Sequence, residues 1–157
     1  MKSTKLRTAI VASVAVVVFT VSALAADTDR AALERTGAAI RAAFAAGDVA
    51  TVMKYHHPDV TKALSYNRVV VGHDAVATDL GNTLRQYHLE FVENRVESLL
   101  IEDDTAVEQT LFTIRGTPIS GGQPFVFKGR TMVVSVRYKE SPTGWASIRE
   151  LIQPATE

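Results

Sequence analysis

Residues 125–138 read FVFKGRTMVVSVRY, and after Pro142-Thr143-Gly144 the chain resumes with WASIRELIQ over residues 145–153. Both stretches are rich in β-branched and aromatic residues, and a turn of Pro, Thr and Gly separates them, which is the pattern of two strands joined in a hairpin. The pattern extends backwards along the chain. His88 to Ile101 and Thr105 to Gly116 read as two further strands, divided by Glu102-Asp103-Asp104, and Gly121-Gly122 turns the second of these into residues 125–138. Four long strands in succession, about His88–Ile101, Thr105–Gly116, Phe125–Tyr138 and Gly144–Gln153, predict an antiparallel meander.

Upstream the period changes from two to about 3.6. Leu33, Gly37, Ile40 and Phe44 fall at helical spacing in an Ala-rich stretch that forms helix readily, with Asp27 to Asp29 as its cap and Gly47 as its close. Asp48 then caps a second short helix whose buried stripe is Val49, Val52 and Met53, and Pro58 forces its end. Residues 60–71 are β-branched and aromatic, broken at Asn67-Arg68, and predict a short strand pair. A third helix follows from about His73 to Tyr87, with Val76, Leu80, Leu84 and Tyr87 on one face and Asp74, Asp79 and Arg85 toward solvent. The order α-α-β-β-α-β-β-β-β belongs to the α+β class: a cone-shaped, curved antiparallel sheet wrapped around three N-terminal-side helices. A cone of this kind leaves a pocket between sheet and helices.

Residues 1–25 stand apart from this pattern. Lys2, Lys5 and Arg7 precede an uncharged, mostly apolar run from Ala9 to Leu24, and Ala23-Leu24-Ala25 gives the small-x-small site that a signal peptidase cuts after. The apolar run is shorter than the roughly 20 residues that span a bilayer. The expectation is an exported protein, periplasmic or secreted, with a signal peptide at 1–25, one domain over 26–157 and no stable membrane span after cleavage. The whole chain of 157 residues carries 17 Lys and Arg against 17 Asp and Glu; without the signal the count becomes 14 against 17, a net −3. A slightly acidic chain lacks the basic surface that neutralises nucleic-acid phosphates. It has no cysteine, which removes disulfides, thiolate nucleophiles and Cys-ligated zinc.

Three stretches carry a family resemblance. Ala46-Gly47-Asp48-Val49 leading to Tyr55-His56-His57-Pro58-Asp59-Val60, Val71-Gly72-His73-Asp74-Ala75-Val76, and Gly129-Arg130-Thr131 through Val136 to Gly144-Trp145 resemble, in order and spacing, the nuclear transport factor 2-like superfamily. The likeness is to its SnoaL-like or ketosteroid-isomerase-like bacterial branch and covers nearly all of residues 29–153. It implies a conical α+β barrel with an apolar cavity, commonly a homodimer through the open sheet face. It leaves function open, because this fold hosts isomerases, dehydratases, cyclases, epoxide hydrolases, ligand binders and assembly modules.

The residues narrow those options. The steroid-isomerase pattern needs an aspartate base on the first strand, and Ala63-Leu64-Ser65-Tyr66-Asn67-Arg68 offers no carboxylate, although Tyr66 can donate a hydrogen bond. A dehydratase-type pairing would draw on His56, His57 and Asp59, which read better as the end of a helix, where histidines meet the negative end of the dipole. No His-x-x-x-His spacing places two ligands on one helical face, so neither metal nor cofactor is called for.

Strand register gives the strongest candidates. If the turns are symmetric, Glu108, Val134 and Glu150 form one cross-strand row, with the two carboxylates about 9–10 Å apart at their backbones. Burial and mutual repulsion would raise at least one of the two pKa values, giving an acid/base pair. Epoxide hydrolases of the superfamily carry an arginine two residues before one such carboxylate, and here that position is Ala106. Tyr55, Tyr66, Tyr87, Phe112, Val134 and Trp145, with Phe91, are the candidate ligand wall. Three functions remain: a binder of a small, mostly apolar molecule; a lyase, isomerase or hydrolase using Glu108 and Glu150; and a dimeric assembly module whose cone is filled by its own side chains. An open pocket of about 300 Å³ or more separates the first two from the third.

Overall fold

The computed structural model describes the backbone of residues 11–155 and the side chains of residues 27–155. The expected signal segment therefore lies outside the residues described in side-chain detail. Three helices, α1 (Val11–Ala45), α2 (Val49–Met53) and α3 (His73–Gln86), accompany six strands, β1 (His56–Ser65), β2 (Arg68–Val71), β3 (Tyr87–Glu102), β4 (Thr105–Pro118), β5 (Phe125–Arg137) and β6 (Trp145–Pro154). The order and class are those expected.

The elements form where local chemistry favours them. Gly47, at φ 71°, takes the left-handed conformation that ends α1, and Asp48 accepts from the Thr51 N–H to start α2. Helix α1 runs unbroken through Asp27–Asp29, which are interior residues and not its cap, because the Ala-rich sequence on either side sustains the helix. Helix α2 stops at Met53. His56 and His57 consequently open β1 and do not close a helix, since Lys54 is already the C-cap and His56 pairs with Ser147 of β6.

The six strands make one curved, unclosed sheet in the order β2-β1-β6-β5-β4-β3. Every neighbouring pair is antiparallel except β1 with β6, which is parallel. This pairing joins the short strand pair to the edge of the meander, so there is a single sheet that α1 and α3 cover on its concave side. Trp145, fully buried, packs with Ala32, Leu33 and Ala106 where α1 crosses the sheet, and Met53, Val60 and Val76 form a second cluster beneath α3. Arg137 ties this region together, pairing with Asp29 of α1 at 2.6 Å while its guanidinium lies 4.6 Å from the Trp145 ring centre.

Both hairpins are slipped by one residue from the symmetric expectation. Glu108 pairs with Val133 and Val133 with Glu150, so Val133 occupies the place expected of Val134. In the β4–β5 hairpin the reason lies in the asymmetric loop between Gly116 and its partner Phe125, in which Gly121 and Gly122 both take positive φ, and in the β5–β6 hairpin the register shifts where Ile148 is bulged. A slip of one turns a side chain to the other face. The two slips are equal, and the two glutamates stay in one row.

Candidate functional site

Between the sheet and helices α1 and α3 lies a cavity of about 480 Å³. Its wall divides into an aromatic part and a polar part. The aromatic part is assembled by three ring contacts, Phe44 with Phe91 at 5.3 Å, Tyr87 with Phe125 at 5.3 Å and Phe112 with Phe127 at 5.4 Å. Two glycines seat these rings. Phe125 lies over its cross-strand partner Gly116, and Phe112 over its partner Gly129, where a Cβ would stand 2.2 Å and 3.0 Å from the respective ring.

The polar part follows from the row of pairing. Leu99, Glu108, Val133, Glu150 and Lys62 are successive cross-strand partners on β3, β4, β5, β6 and β1. Lys62 Nζ therefore meets Glu150 Oε2, at 2.5 Å, and the Thr131 hydroxyl donates to Glu150 Oε1 at 3.3 Å. Burial pushes the Glu150 carboxyl up, but the charge and hydrogen bond of Lys62, aided by Thr131, outweigh it and hold the pKa below the ordinary carboxylate value. This is opposite to the expected direction: the nearest charge to Glu150 is a lysine, not Glu108. Glu108 is half-buried and accepts a hydrogen bond from Thr110 at 3.0 Å.

His56 completes this wall. It is 3% exposed, and its Nδ1 lies 2.9 Å from the Val52 carbonyl oxygen. A carbonyl can only accept, so Nδ1 carries the proton and Nε2 is left as an acceptor. Burial, reinforced by the positive charge of Lys62, lowers its pKa to about 3, and the ring is neutral at pH 7. Ser147 lies beside it across the parallel pair, buried, with its hydroxyl unpartnered. A bulge at Ile148 makes this possible: it lets Ser147 and Glu150, three residues apart, both face the cavity.

The expected site residues divide accordingly. Glu108, Glu150, Tyr87 and Phe112 line the cavity. Tyr66 sits 99% exposed at the β1–β2 turn, because Tyr66 and Asn67 are the turn itself and belong to neither face. Val134 turns away through the register slip, Trp145 is sealed in the α1 core, and Tyr55 contributes its backbone carbonyl to Ser147 N–H, outside the cavity wall. Lys62, Ser147 and Thr131 were not anticipated, and His56, weighed as a dehydratase-type residue and set aside as a helix end, lines the cavity from the start of β1. The available signal was a lone lysine in a strand between Thr61 and Ala63-Leu64, whose cost in an apolar setting demands a buried partner. Among the described residues no group of three His, Asp or Glu side chains stands together as metal ligands would. A broader depression of about 810 Å³, bordered by Lys54, His73, Asp74, Tyr138 and Glu140, opens widely to solvent and lacks the enclosed wall of the cone.

A SnoaL-like domain family model matches residues 37–140. No curated protein matches the chain. Among solved structures, a conserved protein from Planctomyces limnophilus DSM 3776 superposes with a TM-score of 0.72 at 19% identity, covering 81% of this chain and 98% of its own. A nuclear transport factor 2-like superfamily protein from Salmonella enterica gives 0.70 at 12% identity, covering 85% and 94%. A ketosteroid isomerase-like protein from Erwinia carotovora atroseptica gives 0.68 at 15%, covering 81% and 96%. At these identities the likeness is one of fold.

Proposed function

The chain belongs to the SnoaL-like domain family, within the nuclear transport factor 2-like superfamily, and on that basis we propose that it binds a small, mostly apolar organic molecule in its cone. The observation that carries this reading is the 480 Å³ cavity itself, enclosed by aromatic side chains and edged by a compact polar row. That volume is in the range of small-molecule sites and exceeds the roughly 300 Å³ that separates a binding site from a self-filled cone. Mass spectrometry under native conditions, on protein purified from its own host, tests it. A bound organic species that disappears in a Val133→Trp variant, whose indole would occupy the cone, is the expected result; wild-type protein that carries no ligand and takes up no apolar probe would overturn it.

A second reading is favoured by Glu108. Among the described residues its carboxylate has only a threonine hydroxyl as partner and it lines the cavity, whereas Glu150 is neutralised by Lys62. In an acid/base enzyme of lyase, isomerase or hydrolase type, Glu108 would move the proton, and the Lys62–Glu150 pair with neutral His56 would orient the reacting group. Glu108→Gln would then lower kcat by about 100-fold or more with the fold intact. Unchanged turnover in that variant would leave binding as the whole function.

Export and assembly complete the proposal. Removal of residues 1–25 is supported by their charge and cleavage pattern, and the mature protein is expected to begin at Ala26 on N-terminal sequencing. A homodimer through the convex sheet face is supported by exposed Met132 and its cross-strand partner Leu151, with Val126 on the same side. Light scattering should give twice the chain mass, and Met132→Glu with Leu151→Glu should give the monomer.

A further inference from the structure

We propose that the occupant of the cone is an organic acid, its carboxylate held by Arg41. The inference rests on the ligand-binding reading above and specifies its chemistry. Six charged side chains line the cavity: Arg41, Lys62, Arg68, Asp79, Glu108 and Glu150. Lys62 is matched to Glu150 and Arg68 to Asp79. Arg41, on α1, is half-buried and has neither a carboxylate within ion-pair distance nor a hydrogen-bond acceptor among the described residues. A guanidinium on an apolar wall with no internal partner is a place where an anionic group gains a charge-assisted, bidentate contact that water offers only weakly.

The helix is shaped for it. Gly37 lies one turn before Arg41 and also lines the cavity; a Cβ there would stand 3.0 Å from Arg41 Nη1. Glycine is a poor residue for a helix interior, and here its bare surface is the seat on which the guanidinium rests. The rest of the wall restricts the class of anion. One guanidinium balances one charge, and Glu108 on the sheet wall opposes any second one, which disfavours a phosphate dianion and suits a monocarboxylate. Phe44, Phe91, Phe112 and Phe127 provide for an aromatic or alicyclic body. Glu108 also restricts the orientation, since it repels the acid group and receives a donor, such as a hydroxyl, elsewhere on the body.

Isothermal titration at pH 7 with 2-naphthylacetate and its neutral analogue 2-naphthylacetamide separates charge from shape. The wild-type protein should bind the acid at least about 10-fold more tightly than the amide. Arg41→Gln should reduce acid binding to the level of the amide and leave the amide unchanged, and Arg41→Lys should keep part of the preference. Should Arg41→Gln fail to fold, the wild-type ratio and the Arg41→Lys ratio decide. Equal affinity for acid and amide in the wild type, or an equal loss of both in Arg41→Gln, overturns this inference and leaves the ligand-binding reading standing. If neither compound binds, this inference falls, and the ligand-binding reading falls with it only where the purified protein also carries no organic species.

Discussion

Two carboxylates on opposite faces of the sheet, Glu97 and Glu150, are each paired with a basic side chain, and the surroundings give the two pairs different consequences. On the convex face Glu97 accepts from Arg130 Nε at 2.5 Å and from Gln109 at 3.0 Å, and its pKa falls to about 2 because these donors bind the charged form and outweigh the opposing effect of burial. On the concave face Glu150 meets Lys62 at the same 2.5 Å, but burial works against it, and the charge survives only because Lys62 is there. The bridging strand β5 serves both faces, Arg130 and Met132 outward, Thr131 and Val133 inward. An ion pair at the surface contributes little to stability, while the pair in the cone cannot lose one member without leaving an uncompensated charge on the cavity wall.

Breaking the inner pair should have the largest effect. Lys62→Met leaves Glu150 without its counter-charge and should cost about 3 kcal/mol in urea unfolding, the low end for a buried pair because both side chains keep some exposure. Lys62→Met combined with Glu150→Leu should recover most of that loss. Two steps along β5, Gly129→Ala should cost about 2 kcal/mol, since the added methyl would meet the Gln153 carbonyl oxygen at 2.6 Å and the Phe112 ring at 3.0 Å. It also presses Phe112 into the cone, and ligand affinity should fall with stability.

The pH dependence separates the faces by window. His56 has a folded pKa near 3 against 6.5 unfolded, so the unfolded chain binds the extra proton and stability is lost as pH falls from about 6.5 toward 3. At pH 5 this amounts to about 2 kcal/mol relative to pH 7, and His56→Gln should flatten that part of the curve. Glu97 and Glu150 have folded values below their unfolded ones; their contribution is complete above about 4.5 and disappears only below it. A stability profile flat between pH 7 and 5 in the wild type would show that His56 is not held neutral. The smallest effect is expected from Arg130→Ala, which should leave the urea midpoint close to the wild type, because the solvent replaces what Glu97 loses.

The hairpins were legible because their information is local. Turn residues at Glu102-Asp103-Asp104, Gly121-Gly122 and Pro142-Thr143-Gly144 bracket alternating strands, and counting outward from them brought Glu108 and Glu150 into one row. Counting could not reveal that the Gly121-Gly122 loop is asymmetric or that Ile148 bulges, and each of those shifts a face: Val133 replaced Val134, and Ser147 joined Glu150. Tyr66 was misplaced for a related reason, because a tyrosine in a turn and a tyrosine on a strand look alike until the turn is counted to the residue.

The sequence by itself determined the order of elements, the α+β class and the existence of two carboxylates on a shared row, all of which follow from periodicity and turn chemistry within some 30 residues. Only the tertiary structure decided what those carboxylates are. The parallel pairing of β1 with β6 joins residues 88 apart in the chain and sets Lys62 against Glu150, leaving Glu108 and Arg41 as the cavity charges without a counter-charge among the described residues. Such a contact has no turn to count from. Its register is fixed by packing α3 and β1 against the finished sheet, and so the electrostatics of the cone belong to the fold and not to any segment of it.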